Sequence, residues 1–223
     1  MNVNKHPSKK FVFPTIRTFF LKHGQMLMNI YLFVAFSTFC GWQIWKTYLE
    51  NRLDFIEISF AVQNLIMVAL FLIRKKHVAF NKSIFDQAVA LAAFLSGAAF
   101  IGQPLTAQST SMMVSRIIIL TANVLGVLTL LNLGRSFGVF IAIREIKTKW
   151  LYSIIRHPMY FTDILLRVGY LVSHFTLFTA TAFVLSSCCY GYRAILEERF
   201  LSKDPAYRVY LNRVRYRFIP LIF

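Results

Sequence analysis

Acidic residues are scarce in this chain: nine Asp and Glu in 223 residues, with charged residues of both signs making up only 15%. Soluble domains carry about 25% charged and about 45–50% apolar residues. Here 57% of residues are hydrophobic and the mean hydropathy is +0.56, more apolar surface than a soluble fold of this size can hide. The same figures exclude a disordered chain, because low hydrophobicity is what keeps chains unfolded. Cysteine is nearly absent. Cys40, Cys188 and Cys189 lie in apolar runs without metal-ligand spacing or a disulfide framework. They are expected to pack as small hydrophobes, and no metal is expected. Repeats, low-complexity tracts and interdomain linkers are also missing. What remains is one domain of a multi-pass membrane protein.

A bilayer core of about 30 Å needs about 20 helical residues per crossing. Residues 26–45, 55–73, 84–105 and 112–133 each supply one, joined by short loops that make them antiparallel neighbours. Ala92, Ala93, Gly97, Ala98 and Ala99 would allow close helix contact in the third. Residues 1–22 carry Pro7 and Pro14 and alternate Phe with Lys and Arg. No small-residue cleavage site follows, so they read as a basic interfacial segment rather than a signal peptide. Residues 134–152 read as a polar cytoplasmic stretch. Residues 159–173 are too short for an independent crossing and 176–195 are apolar again, so 159–195 read as a helical hairpin dipping into the membrane. A charged helix follows from Leu196. The expected architecture is an all-α integral membrane protein: an N-terminal segment (1–22), a four-helix region (23–133), and a cytoplasm-facing region with a membrane hairpin and tail helix (134–223).

The net charge of +16 follows from topology. With the N-terminus in the cytoplasm, 21 of the 25 Lys and Arg fall on one side, leaving only Lys46, Arg52, Arg116 and Arg167 elsewhere. The positive-inside rule then makes both ends cytoplasmic. Attraction to anionic lipid accounts for the rest of the basicity, and nucleic acid is not an expected partner.

Polar groups at membrane depth are costly. Asp163 and Arg167 lie four apart with the acid first, a spacing that pairs them along one helix face. His174, Gln63, Asn64 and Asn123 are expected to bond between helices. The cytoplasmic side is richer in chemistry. Arg156-His157-Pro158-Met159-Tyr160 opens a helix with proline at its first position, and such a terminus suits an anion. Arg193, Glu197 and Glu198 end the next helix, and the hairpin returns them to the same depth. Read singly, these are a juxtamembrane stop and a solvated charge run. Together they line one pocket.

Leu133-Gly134-Arg135-Ser136-Phe137, then Tyr152 and Arg156 to Tyr160, then Arg193, Glu197-Glu198 and Leu201, then Tyr207, Tyr210, Val214, Arg217 and Ile219-Pro220 form an ordered series. It resembles the isoprenylcysteine carboxyl methyltransferase family and its bacterial relatives over roughly residues 131–223. The resemblance implies S-adenosyl-L-methionine-dependent methyl transfer to a lipid-linked or hydrophobic acceptor at the cytoplasmic face, in the bacterial inner membrane. It puts Tyr152, His157, Pro158, Met159, Tyr160 and Glu197 on cofactor contacts and Arg193 on the acceptor. A carboxylate acceptor is ionised at neutral pH and needs no base. Arg193 would hold it by charge-assisted hydrogen bonds, and Glu197 would pair with the cofactor's ammonium.

The series departs from the family at four places. Trp150 and Thr162 stand where glycines are usual, Arg144 where a histidine is, and Asp204-Pro205-Ala206 where Phe-Gly is customary. Membrane sterol reductases share a similar helix start and tail ending, so an NADPH-dependent reductase is the alternative. A catalytically silent membrane module of the same fold, supported by Trp150, is the third reading.

Overall fold

Short polar side chains and prolines mark where the helices begin. Asp54 accepts hydrogen bonds from the amides of Ile56 and Glu57 and so starts α2 (Phe55–Ile73). Ser83 caps α3 (Ile84–Leu95) through the amide of Asp86. Thr176 and Thr179 form a reciprocal capping box at the head of α6 (Leu177–Leu201). Pro158 opens α5 (Pro158–Ser173), and Asp204 with Pro205 opens α7 (Pro205–Arg213). The computed structural model describes residues 16–50, 54–101 and 109–219. Within them α1 runs Ile16–Leu49 and α4 Ser109–Leu133. Two short strands, β1 (Ala79–Phe80) and β2 (Ala142–Ile143), pair antiparallel with Ala79 opposite Ile143.

Three stretches are long and apolar enough to cross a membrane: Gly24–Leu49, Phe55–Ile73 and Thr110–Ser136. The architecture is that of a mostly helical membrane protein. The expected third crossing over 84–105 takes a different form. Its α-helix stops at Leu95 and tightens into a 3-10 turn over Ser96–Phe100. There the Ser96 hydroxyl donates to the Ala93 carbonyl and accepts from Arg167, offering the backbone an alternative to regular helix. The apolar helix is then shorter than a crossing needs, and 102–105 lie outside the described residues. Residues 1–15 of the basic N-terminal segment lie outside them as well. Residues 16–22 continue into α1.

Packing follows the small residues rather than chain order. Leu91 and Phe94 of α3 reach the core under α1, α2 and α4, while the helix packs most closely on α6. Fully buried Ala90 and Ala93 meet Ala194, Leu196 and Phe200 there. α4 and α5 approach closely at Gly169, where a Cβ would stand 2.5 Å from Ile119 Cγ1. Ser115 Oγ donates to the Gly169 carbonyl across the same contact at 2.8 Å. Asn123 Nδ2 donates to Ser59 Oγ, so this asparagine does join helices as the sequence suggested. Fully buried Phe71, with Leu130 and Val139, centres the core under α1, α2 and α4.

Three further expectations change. Asp163 and Arg167 make no side-chain ion pair. The guanidinium donates to the Asp163 main-chain carbonyl at 2.9 Å and to Ser96, while the carboxylate accepts from Tyr190 Oη at 2.7 Å. Residues 134–152 are not polar throughout: Phe137, Val139, Ile141 and Ile143 are buried, because β2 and its flanks wrap the ends of α3 and α6. Cys188 is exposed rather than packed, whereas Cys40 is buried.

One end of the bundle gathers the start of α1, the end of α2, both strands and the α5–α6 base. Gln25 donates to the Lys75 carbonyl, and Lys75 pairs with Glu145 at 2.5 Å. Asp54 and Arg116 pair at 2.8 Å near the opposite end.

Candidate functional site

The hairpin brings the start of α5 beside the end of α6, and the chain after α7 returns to close them. The amides of Arg156 and His157 donate to the carbonyls of Tyr216 and Arg217, both at 2.9 Å. Glu198 is the charge at the centre of this junction. It faces Arg156 at 3.2 Å, His157 Nε2 at 3.1 Å and Arg217 Nε at 3.1 Å. Burial opposes its ionised form. The His157 hydrogen bond and the charges of His157, Arg217 and Arg156 outweigh that and bring its pKa down to about 2.

Glu197, one residue earlier and about 100° round the helix, faces a different space. It lines a cavity of about 150 Å³ at the helix ends whose wall carries charged and tyrosine side chains, together with Tyr152, His157, Met159, Tyr160 and Arg193. Of the sequence-derived candidates only Pro158 lies outside this wall; it is fully buried and serves as the first residue of α5. Tyr160 donates its hydroxyl to Glu197, and the His157 ring stacks on it at 5.1 Å with 6° between planes. Tyr210 Oη donates to the Tyr152 carbonyl at 2.7 Å and fixes the turn that carries Tyr152. Burial, with Glu197 and Tyr210 nearby, pushes the Tyr152 hydroxyl up, so it stays a neutral donor.

Arg193 sits in this wall with its terminal nitrogens already engaged. Nη1 donates to the Ala90 carbonyl at 2.9 Å and Nη2 to the Val139 carbonyl at 2.7 Å. Its guanidinium lies 5.1 Å from the centre of the Tyr160 ring. This geometry ties α6 to α3 and to residues 137–141 through two of the guanidinium's five N–H groups, and the buried Nε has no partner.

The packing of Arg144 against Gly138 escaped sequence reasoning. Arg144 lines the cavity beside Gly138, where a Cβ would stand 2.6 Å from Arg144 Nη1. The Gly138–Arg144 spacing carries no helical or strand signal, so only the folded chain reveals the contact. Trp150 adopts φ +58°, the left-handed backbone that favours glycine, and its side chain is 67% exposed. The conformation is thus one in which glycine would sit without strain, and the indole turns away from the cavity.

A second, larger cavity of about 710 Å³ runs through the bundle between α1, α2, α3 and α5. Phe36, Phe60, Phe94, Met67 and Leu166 make much of its wall, with Lys46, Glu50 and Glu57 towards the far end. Phe94, Met159, Asp163 and Tyr190 border both cavities. Among the described residues no cluster of His, Cys, Asp and Glu is suited to hold a metal ion. No family model matches this chain, and neither does any curated protein.

Proposed function

We propose that the protein is an S-adenosylmethionine-dependent methyltransferase acting on a hydrophobic acceptor at the cytoplasmic membrane face. The observation that carries this reading is the shared wall between the two cavities. The small space at the helix ends, ringed by Arg193, Glu197 and tyrosines, suits the charged end of a water-soluble cofactor, and the larger, mainly apolar space inside the bundle suits the acceptor.

The wall of the smaller space fits the cofactor's chemistry. Aromatic faces of Tyr152, Tyr160 and Tyr207 suit a sulfonium cation, and Glu197 suits an ammonium. Ligand cavities usually measure about 300–1,000 Å³, so the smaller space is tight. Arg144 is the part of its wall held by no hydrogen bond among the described residues, and it can turn aside. A dinucleotide such as NADPH would need far more displacement, which favours the methyltransferase over the reductase reading. When bound, S-adenosylmethionine supplies an electrophilic methyl group.

The chain's own residues then orient rather than transfer protons. Glu197, held by the Tyr160 hydroxyl, presents a carboxylate to the cavity. The Glu198 junction keeps His157 and the start of α5 in register with α6. Arg193 holds α3 and residues 137–141 around the cavity and is a positioning residue. The Met159–Asp163 turn separates the two spaces, so an acceptor group reaching past it meets the smaller cavity directly. A carboxylate acceptor asks least of the protein, because it arrives ionised and direct displacement needs alignment alone.

The cation asymmetry, and the gathering of Gln25, Lys75 and Glu145 at the site's end of the bundle, support cytoplasmic placement of both termini. Purified protein in detergent should bind labelled S-adenosylmethionine and not NADPH. Binding of NADPH alone would turn the reading to the reductase; folded protein that binds neither would leave the silent module.

A further inference from the structure

Among the described residues Trp150 is the one non-glycine residue held at a positive φ. Backbone strain persists where the surroundings fix it, and it gathers at sites of function. Here the surroundings do fix it. The Ser153 hydroxyl donates to the Trp150 carbonyl at 2.5 Å, the Tyr152 amide to the Lys149 carbonyl at 3.2 Å, and Tyr210 Oη to the Tyr152 carbonyl at 2.7 Å. The short 3-10 helix over Trp150–Ser153 is thereby held with Tyr152 buried in the cavity wall and Trp150 turned outward. Trp150 is 67% exposed, and Ile154, just after this helix, is 52% exposed. A large aromatic side chain is thus presented outward on a backbone that favours glycine, with little packing in return.

The level of this turn in the fold decides what the indole meets. Leu133, the last residue of α4, lines the same small cavity as Tyr152. α4 belongs to the apolar stretch Thr110–Ser136, which is long enough to cross a membrane. Tyr152 and its turn therefore stand at the end of that stretch, where a crossing passes from hydrocarbon to head groups. Tryptophan is enriched at that depth, because its ring is apolar while its N–H seeks a polar partner. The charges agree. Ile155 pairs with Tyr216 in parallel, so Ile154 lies beside Arg215. Lys149, Arg213 and Arg215 are exposed, and neither 147–156 nor 212–219 contains an acidic residue. Cations at this level attract anionic head groups.

We propose that Trp150, with Ile154 beside it, is an interfacial anchor that seats the Tyr152 segment of the cavity wall in the head-group layer of the bilayer. The contact exists only against lipid, so the protein by itself carries the strain. Because Trp150 and Tyr152 share one short helix, the bilayer surface becomes a support of the cavity wall. The anchor holds whatever reaction the cavity serves.

The test is fluorescence of the full chain reconstituted in vesicles of phosphatidylcholine and phosphatidylglycerol. Trp42 and Trp45, both exposed on α1, are replaced by Phe, which leaves Trp150 as the emitter. Phosphatidylcholine brominated near the head-group end of its chains should at least halve the Trp150 emission, and the same lipid brominated near the chain tips should quench it less. Emission that neither brominated lipid quenches overturns the anchor: quenching by aqueous iodide would then show a solvated patch, and protection from iodide a patch covered by protein. Stronger quenching by the tip-brominated lipid also overturns it, by placing the turn inside the hydrocarbon. Thermal unfolding checks that the variant with Trp42→Phe and Trp45→Phe is folded. If it is not, the difference in quenching between wild type and Trp150→Phe decides the same question.

Discussion

His157 and Glu198 meet across the site with Nε2 3.1 Å from Oε1, both side chains buried and 41 residues apart in sequence. The contact joins the first residue before α5 to the last turns of α6. Arg156 and Arg217 complete the set around the same carboxylate. Adjacent glutamates thus have separate work: Glu198 holds the walls together and Glu197 faces the space they enclose.

Glu198→Ala should therefore cost stability. Removing one partner from a buried charge cluster costs about 3–5 kcal/mol, and here Arg156, Arg217 and His157 lose their common partner. Glu197→Ala should leave the unfolding temperature close to wild type. The two unfolding curves in detergent decide this; coincident curves would mean that Glu198 is not the structural member of the pair.

The same carboxylate gives a pH signature. Its folded pKa of about 2 lies below the ordinary value of 4.5. A depressed carboxylate contributes stability that is fully present above the unfolded value and is lost as pH falls towards the folded one. The stability gap between wild type and Glu198→Gln should be constant above about pH 5 and shrink between 4.5 and 2. A gap that widens on acidification would contradict the assignment.

Arg193→Ala should also destabilise the fold. The substitution strips donors from the carbonyls of Ala90 and Val139 in a buried setting. Hydrogen bonds to charged groups contribute about 1.5–3 kcal/mol each, so a loss of about 2 kcal/mol or more is expected. Arg193→Lys should recover only part, because an ammonium cannot span both carbonyls as the fork does. An unfolding temperature unchanged in Arg193→Ala would return this residue to the solvated helix end.

Trp150 offers a gain. A non-glycine residue in the left-handed region carries a cost of roughly 1–2 kcal/mol, and the exposed indole buries little in return. Trp150→Gly should match or exceed wild type in unfolding temperature, and should exceed Trp150→Ala, which keeps the strain. The reverse order for glycine and alanine would show that the backbone conformation is not what limits stability here.

Local order was readable where the chain's own pattern sets it. The second helix spans 55–73 in both the hydrophobic run and the structure, and the hairpin over 159–195 corresponds to α5 and most of α6. Partner choice was not. Nothing in the hydropathy of 84–105 says that α3 lies closest to α6; fully buried Ala90 and Ala93 let those backbones approach. Asp163 illustrates the same limit. Its i+4 spacing to Arg167 is real, yet Tyr190 and Ser96 come from other elements and compete successfully for both side chains. Within the site, the aromatic and acidic series was visible, and so was Arg144 as a departure from the family pattern, but its contact with Gly138 was not.

Residues 214–217, whose carbonyls receive Arg156 and His157 and whose Arg217 reaches Glu198, follow α1 to α7 in chain order. Synthesis therefore delivers these helices before the piece that closes the junction exists. Helix insertion and completion of the site are separate events in time, the first proceeding as each helix emerges and the second waiting for residues 214–217. A nascent chain halted just beyond Leu201 would hold its place in the lipid while its α5 amides and Glu198 still lacked their last partners.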